Sequence, residues 1–157
     1  MPTQQPEHLE RIPTEHLTRG AAAIALTAVA VIHIVDLPST LQATPLIGYG
    51  YFVLVVAAVL AAAMLLTMPG RLVWALTGAI AGGALLAYVL SRSTGLPTDT
   101  LDVGNWNCSL GVAAISTESL IVLLATWRIQ PRRPAARNEI DNTLPTLPKI
   151  GASRSQY

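Results

Sequence analysis

Residues 46–68 read LIGYGYFVLVVAAVLAAAMLLTM, 23 residues without a charge, and Pro69-Gly70-Arg71 follows at once. At about 1.5 Å per residue this run makes a helix of roughly 35 Å, enough to cross a hydrocarbon core of about 30 Å. Pro45 stands at its start, where a missing amide costs a helix nothing. The next apolar run, Arg71 to Leu90, is separated from Met68 by only two residues. So short a connection forces the two helices into an antiparallel hairpin.

The rest of the chain extends this pattern in both directions. Upstream, an apolar run from Gly20 to Val35 is interrupted only by His33. Thr14 is a plausible N-cap for it, with Glu15 in the first turn, where the helix dipole favours an acid. Pro38 is expected to end it, because the residue before a proline avoids the helical region. Downstream, Leu110 to Trp127 forms a fourth run of 18 residues with Glu118 inside it. The sequence therefore predicts an all-α fold, a bundle of four transmembrane helices over about 15–37, 46–68, 71–90 and 110–127. A cleaved signal peptide fits the first run poorly. Three acids precede it and no small-x-small site follows it closely.

Charge supports the same division. Of 10 basic and 9 acidic side chains, only Asp36, Arg71, Arg92, Asp99, Asp102 and Glu118 fall between Gly20 and Trp127. A soluble domain carries about 25% charged residues, so the 14–127 segment is read as membrane-embedded. Residues 1–13 and the proline-rich, basic residues 128–157 are expected to be disordered tails. If both termini are cytoplasmic, that side holds nine Lys and Arg and the other only Arg92. The positive-inside rule then places both tails in the cytoplasm and the Ser91–Ser109 loop outside. The arginines between 128 and 137 either lie on anionic lipid or serve only as this anchor.

Several function classes are excluded. A net charge of +1 does not suit a nucleic-acid binder. The single cysteine, Cys108, permits no intrachain disulfide and no thiolate zinc site. It is read as a free thiol or an intermolecular bridge. No nucleotide-binding, zinc-protease or serine-hydrolase motif occurs, and a membrane-embedded enzyme ranks last among the readings, behind a non-catalytic protein, because no nucleophile is recognised.

Glu118 is the most informative residue. It is ninth in its span, and an ionised carboxylate at such depth costs about 2.5–3.5 kcal/mol on insertion scales. It should face the bundle interior, as a functional group or as neutral packing glue. His33 and Asp36, three apart, share one side of the last turn of the first helix. Converging with Glu118, they would suit a divalent metal, a haem-type group or a proton relay. The alternative leaves His33 bonded to water or backbone and Asp36 capping the Ser39-Thr40 turn. Arg92 is a partner for Asp36, Asp99, Asp102 or Glu118, or a lock on the loop, and Tyr88 lies one turn below it. Gly95 and Gly104 permit turns, while Leu96, Pro97, Asp102 and Trp106 complete what reads as an ordered cap or lid. Gly78 and Gly82 form a Gly-x-x-x-Gly stripe for close helix approach, within the chain or between copies.

The run Ser91-Arg92-Ser93-Thr94-Gly95-Leu96-Pro97, with Asp102-x-Gly104-Asn105-Trp106, Leu110-Gly111, Glu118 and His33, resembles a group of uncharacterised small four-helix integral membrane proteins of high-GC bacteria. Their loop reads Ser-Arg-Thr-x-Gly-Leu-Pro, and an acid and a proline often precede Leu-Gly. Here Asn107-Cys108-Ser109 stands in that place. The resemblance covers about residues 20–127 and implies the same fold and topology in a bacterial plasma membrane, without supplying an activity. The function expected is ligand binding at His33, Asp36, Arg92 and Glu118, with a metal or haem-type group as the concrete candidate. The alternatives are a proton or ion pathway through Glu118 and His33, or an accessory subunit of a larger membrane complex. Lipid, and a homo-oligomer or such a complex, are the expected partners.

Overall fold

The proline that ends the first helix is Pro45, not Pro38. In the computed structural model, which describes residues 14–130 other than Pro69 and Thr98, helix α1 runs Thr14–Ala43 with Pro38 inside it. The expected stop at Leu37 is thus corrected by six residues. The hydroxyls of Ser39 and Thr40 both donate to the Asp36 carbonyl, at 2.8 and 3.0 Å, and hold the turn around the proline together. Thr44, which precedes Pro45, takes the extended backbone (φ −143°, ψ 82°) that a following proline imposes. Its carbonyl then accepts the first bonds of α2 from the amides of Ile47 and Gly48.

Helix α2 spans Pro45–Thr67, α3 spans Arg71–Ser93 and α4 spans Ser109–Ile129. All four are long and apolar enough to cross a membrane. They alternate in direction, so Glu15 at the start of α1 meets Arg128 at the end of α4, 3.4 Å apart. Of the two expected tails, 1–13 lies outside the described residues, as does 128–157 from residue 131 on, while Arg128 and Ile129 belong to α4 instead.

The bundle is packed with small residues inside and large ones outside. Ala22, Ala25, Leu26 and Val29 of α1 are buried with Ala58, Ala61 and Leu65 of α2. Ala81 of α3 and Ile121 and Ala125 of α4 complete this core. Ile24, Leu60, Leu72 and Leu123 point outward and are 58–73% exposed. In lipid, outward leucines lose nothing, and close packing of small residues holds helices together. Gly78 belongs to this packing: a Cβ there would lie 2.9 Å from the Cβ of Ala125. The glycine stripe of α3 therefore faces α4 of the same chain, with Gly82 opposite Val122.

One backbone group at the termini end has a side chain as its partner. Leu65 is among the last four residues of α2, whose carbonyls have no donor within the helix, and the residue four on is Pro69, which has no N–H. Arg19 Nε donates to that carbonyl at 2.5 Å, tying α1 to the end of α2.

Candidate functional site

The fully buried apolar side chains lie toward the termini end, and the helices leave space at the loop end. A cavity of about 590 Å³ opens there among all four helices and the α3–α4 loop. His33, Asp36, Tyr88, Arg92, Asp102 and Glu118 all line it. Gathering these scattered polar residues is the main consequence of the fold for function.

Glu118 is 1% exposed and sits on the inner face of α4 with Gly111, Ala114, Ile121 and Ala125. Its flanking hydroxyls do not serve it. Ser116 and Thr117 bond back to the carbonyls of Val112 and Ala113 in their own helix. Its nearest polar neighbour is across the bundle: His33 Nε2 lies 3.9 Å from Glu118 Oε1. The second oxygen, Oε2, is buried and has no hydrogen-bond partner among the described residues.

His33 is oriented by its own helix. Its Nδ1 is 2.9 Å from the carbonyl of Val29. A carbonyl only accepts, so Nδ1 carries a proton and donates it. In the neutral ring Nε2 is then a bare lone pair directed toward Glu118. One proton shared between the imidazole and the carboxyl makes the pair neutral as a whole, whichever group holds it. That neutrality is what a low-dielectric site favours. Tyr51 of α2 packs edge-on against the imidazole, with centroids 4.7 Å apart at 83°. Sequence reasoning did not single out Tyr51, because an aromatic in a uniformly apolar run carries no spacing that marks it.

Asp36 lines the same cavity but does not join the pair. Its Oδ1 accepts from the Ser39 hydroxyl at 3.1 Å. Among the described residues no three of His, Cys, Asp and Glu gather closely enough to hold a metal ion. The metal centre expected from His33, Asp36 and Glu118 is therefore not assembled. Three residues of helix advance leave Asp36 rotated from His33 and a turn nearer the loop, at the rim.

The mouth of the cavity is built from the loop. Arg92 Nη1 contacts Asp102 Oδ2 at 2.5 Å, and its guanidinium lies over the Tyr88 ring, 5.1 Å from the centroid. Trp106 meets the same ring edge-on at 6.2 Å. The amide of Gly104 donates to the Arg92 carbonyl at 2.9 Å, closing the loop over the end of α3. Leu96 and Asp99 exchange both backbone hydrogen bonds around Pro97. Gly95 and Gly104 have φ of +80° and +82°, which a side chain would resist. Cys108 is a half-buried free thiol at the start of α4, also on the cavity wall.

Gly111 sets the width of this wall. A Cβ at that position would lie 2.7 Å from the Tyr88 hydroxyl and 2.8 Å from its Cε2. The phenol thus lies directly against the α4 backbone, and the Leu110-Gly111 pair has a steric reason that spacing alone did not show.

No protein-family model, no curated protein and no solved structure matches the chain.

Proposed function

We propose that this four-helix membrane protein binds a small organic molecule in the loop-end cavity, with the Glu118–His33 pair as its polar floor. The observation that carries the reading is a cavity of about 590 Å³ lined by Glu118, whose buried Oε2 has no hydrogen-bond partner among the described residues. An unpaired buried oxygen costs about 1–3 kcal/mol, which a ligand donor would recover. The rest of the wall is mixed, with Ile47, Val53 and Leu54 beside the polar groups. That combination suits an apolar body carrying an amine or hydroxyl. Among the described residues, His33 and Glu118 are joined by no third His, Cys, Asp or Glu, too few ligands for a resident metal ion. A haem-type group remains compatible with a free imidazole nitrogen, and its spectrum would reveal it. The concentration of basic residues at the termini end supports placing this mouth outside a bacterial plasma membrane.

A proton pathway has less support. Between Glu118 and the termini end, the only fully buried polar side chain among the described residues is Thr77. Leu26, Leu65, Ile121 and Ala125 fill the remainder.

The test uses the full chain purified from membranes in mild detergent. It combines metal analysis, a visible spectrum, mass spectrometry of extracted small molecules, and a thermal-shift panel of hydrophobic amines and alcohols. The expected result is a copurified organic molecule or a stabilising panel member whose effect is lost in Glu118→Gln. A stoichiometric metal or Soret band lost in His33→Ala would replace the organic ligand with a cofactor. Protein that carries nothing and answers to no compound would overturn the binding reading.

A further inference from the structure

The opposite end of the bundle holds a second cavity, of about 550 Å³, that the first site does not use. Its walls come from three helix ends. Glu15 opens α1, Gly70, Arg71 and Trp74 open α3, and Trp127 and Arg128 close α4. We propose that this cavity is a binding site for a phosphodiester anion, the headgroup of an anionic phospholipid.

Three features point to an anion. Two arginines, Arg71 and Arg128, line one space. Arg128 is held there over the Trp74 ring at 5.7 Å and the Trp127 ring at 5.9 Å. Its Nε is buried and has no hydrogen-bond partner among the described residues. The first turn of α3 also opens onto the cavity, with Gly70 as N-cap and no side-chain cap bond. Its free amides and the positive end of the helix dipole favour a bound anion.

The charge balance selects the class. Glu15 Oε1 lies 3.4 Å from Arg128 Nη2, so one carboxylate already offsets one of the two arginines. The remaining single positive charge matches a monoanionic phosphodiester better than a dianionic monoester. The surroundings select the source. Leu72, beside Arg71, is 71% exposed, and Leu123, one turn from Trp127, is 66% exposed. Both present lipid-facing surface along which acyl chains would run below a bound headgroup. Trp127 stands 56% exposed at the same level, where the interface favours indole.

The test reads the site's own tryptophans. The chain has three, and Trp106 lies at the other end, so Trp106→Phe leaves Trp74 and Trp127 as reporters. The full-length variant in zwitterionic detergent is titrated with short-chain phosphatidylglycerol, with phosphatidylcholine of the same chains, and with inorganic phosphate. Phosphatidylglycerol is expected to give a saturable emission change that phosphatidylcholine does not. Arg71 is exposed and makes no ion pair among the described residues, so Arg71→Gln should fold with an unchanged melting temperature. It should weaken phosphatidylglycerol about tenfold, the loss of one charge-assisted hydrogen bond. An equal response to inorganic phosphate, also weakened by Arg71→Gln, would keep the anion site but make its ligand soluble. Equal responses to the two lipids, no saturable change, or an unaltered affinity in Arg71→Gln would overturn the proposal. None of these readings depends on Glu118 or on the loop-end cavity.

Discussion

His33 Nε2 and Glu118 Oε1 face each other 3.9 Å apart across the α1–α4 contact, both side chains nearly inaccessible. The separation is longer than a hydrogen bond, while the Val29 carbonyl fixes which imidazole nitrogen is bare. The one shared proton of such a buried pair sits either on the imidazole, as an ion pair, or on the carboxyl, as two neutral groups, and the two states differ greatly in strength. Breaking an ionised buried pair costs about 3–5 kcal/mol, whereas polar contacts between membrane helices couple by about 0.6 kcal/mol on average. The unmatched Oε2 argues for the neutral state, because an ionised carboxylate would demand more donors than His33 supplies. A double-mutant cycle with His33→Ala and Glu118→Gln, read by unfolding in mixed micelles, should give a coupling of about 1 kcal/mol or less. Coupling of several kcal/mol would make the pair an ion pair.

Gly48 and Gly50, two residues apart in α2, should respond to the same substitution in opposite ways. A Cβ on Gly48 would lie 2.5 Å from Leu41 Cδ2 and 2.9 Å from the Leu41 Cα. The second contact is backbone and cannot swing aside, because Thr44 alone links α1 to α2. Gly48→Ala should cost about 1–3 kcal/mol, the range for overpacking. Gly50 has nothing within 4 Å of its ideal Cβ, so Gly50→Ala should gain about 0.5–1 kcal/mol from helix propensity. Thermal melts of the two variants in one detergent decide the matter.

These contrasts mark what a reading of the residues alone can reach. The four spans were legible because six charges across 108 residues leave few places for anything but a membrane helix. The approach of His33 to Glu118 was only one of the arrangements open to the residues, since spacing within two helices does not fix which of their faces meet. The course of α1 past Pro38 was not legible. It rests on hydroxyls of Ser39 and Thr40 bonding back to Asp36, and on Pro45 ending the helix instead. Nor was the position of Asp36, because a spacing of three gives a shared side of the helix while the same advance carries Asp36 a turn outward, to the rim. Tyr51 and Gly48 lay hidden in a run so evenly apolar that periodicity gives no inward face.

The contact of Arg19 with Leu65 should matter more than the visible ion pair beside it. Arg19 Nε donates to a carbonyl that its helix cannot satisfy, so Arg19→Met should cost about 1–3 kcal/mol. Glu15 is half exposed in its pair with Arg128, and solvent screening limits such pairs to about 0–1 kcal/mol. Glu15→Gln should therefore leave the melting temperature nearly unchanged at any ionic strength. A larger loss in Glu15→Gln than in Arg19→Met would reverse this ranking.

The loop cap should open when its one charged latch is removed, and the bundle beneath should not notice. Asp102 receives Arg92 through both its side chain and its carbonyl, and Asn105 Nδ2 reaches its carboxylate at 3.4 Å. The Gly104 amide, two residues beyond Asp102, bonds to the carbonyl of Arg92 itself, so its protection reports on the latch directly. In Asp102→Ala, hydrogen exchange at Gly104 should quicken about tenfold, as expected when an ion pair worth about 1.4 kcal/mol at a partly shielded site is lost. Amides of Ala58 to Leu65 lie in the packed half of α2 and should exchange as before. Uniform acceleration along the whole chain would mean that the pair holds the bundle rather than the cap. Unchanged Gly104 exchange would leave the two glycine turns, not Arg92 and Asp102, as what closes the mouth of the cavity.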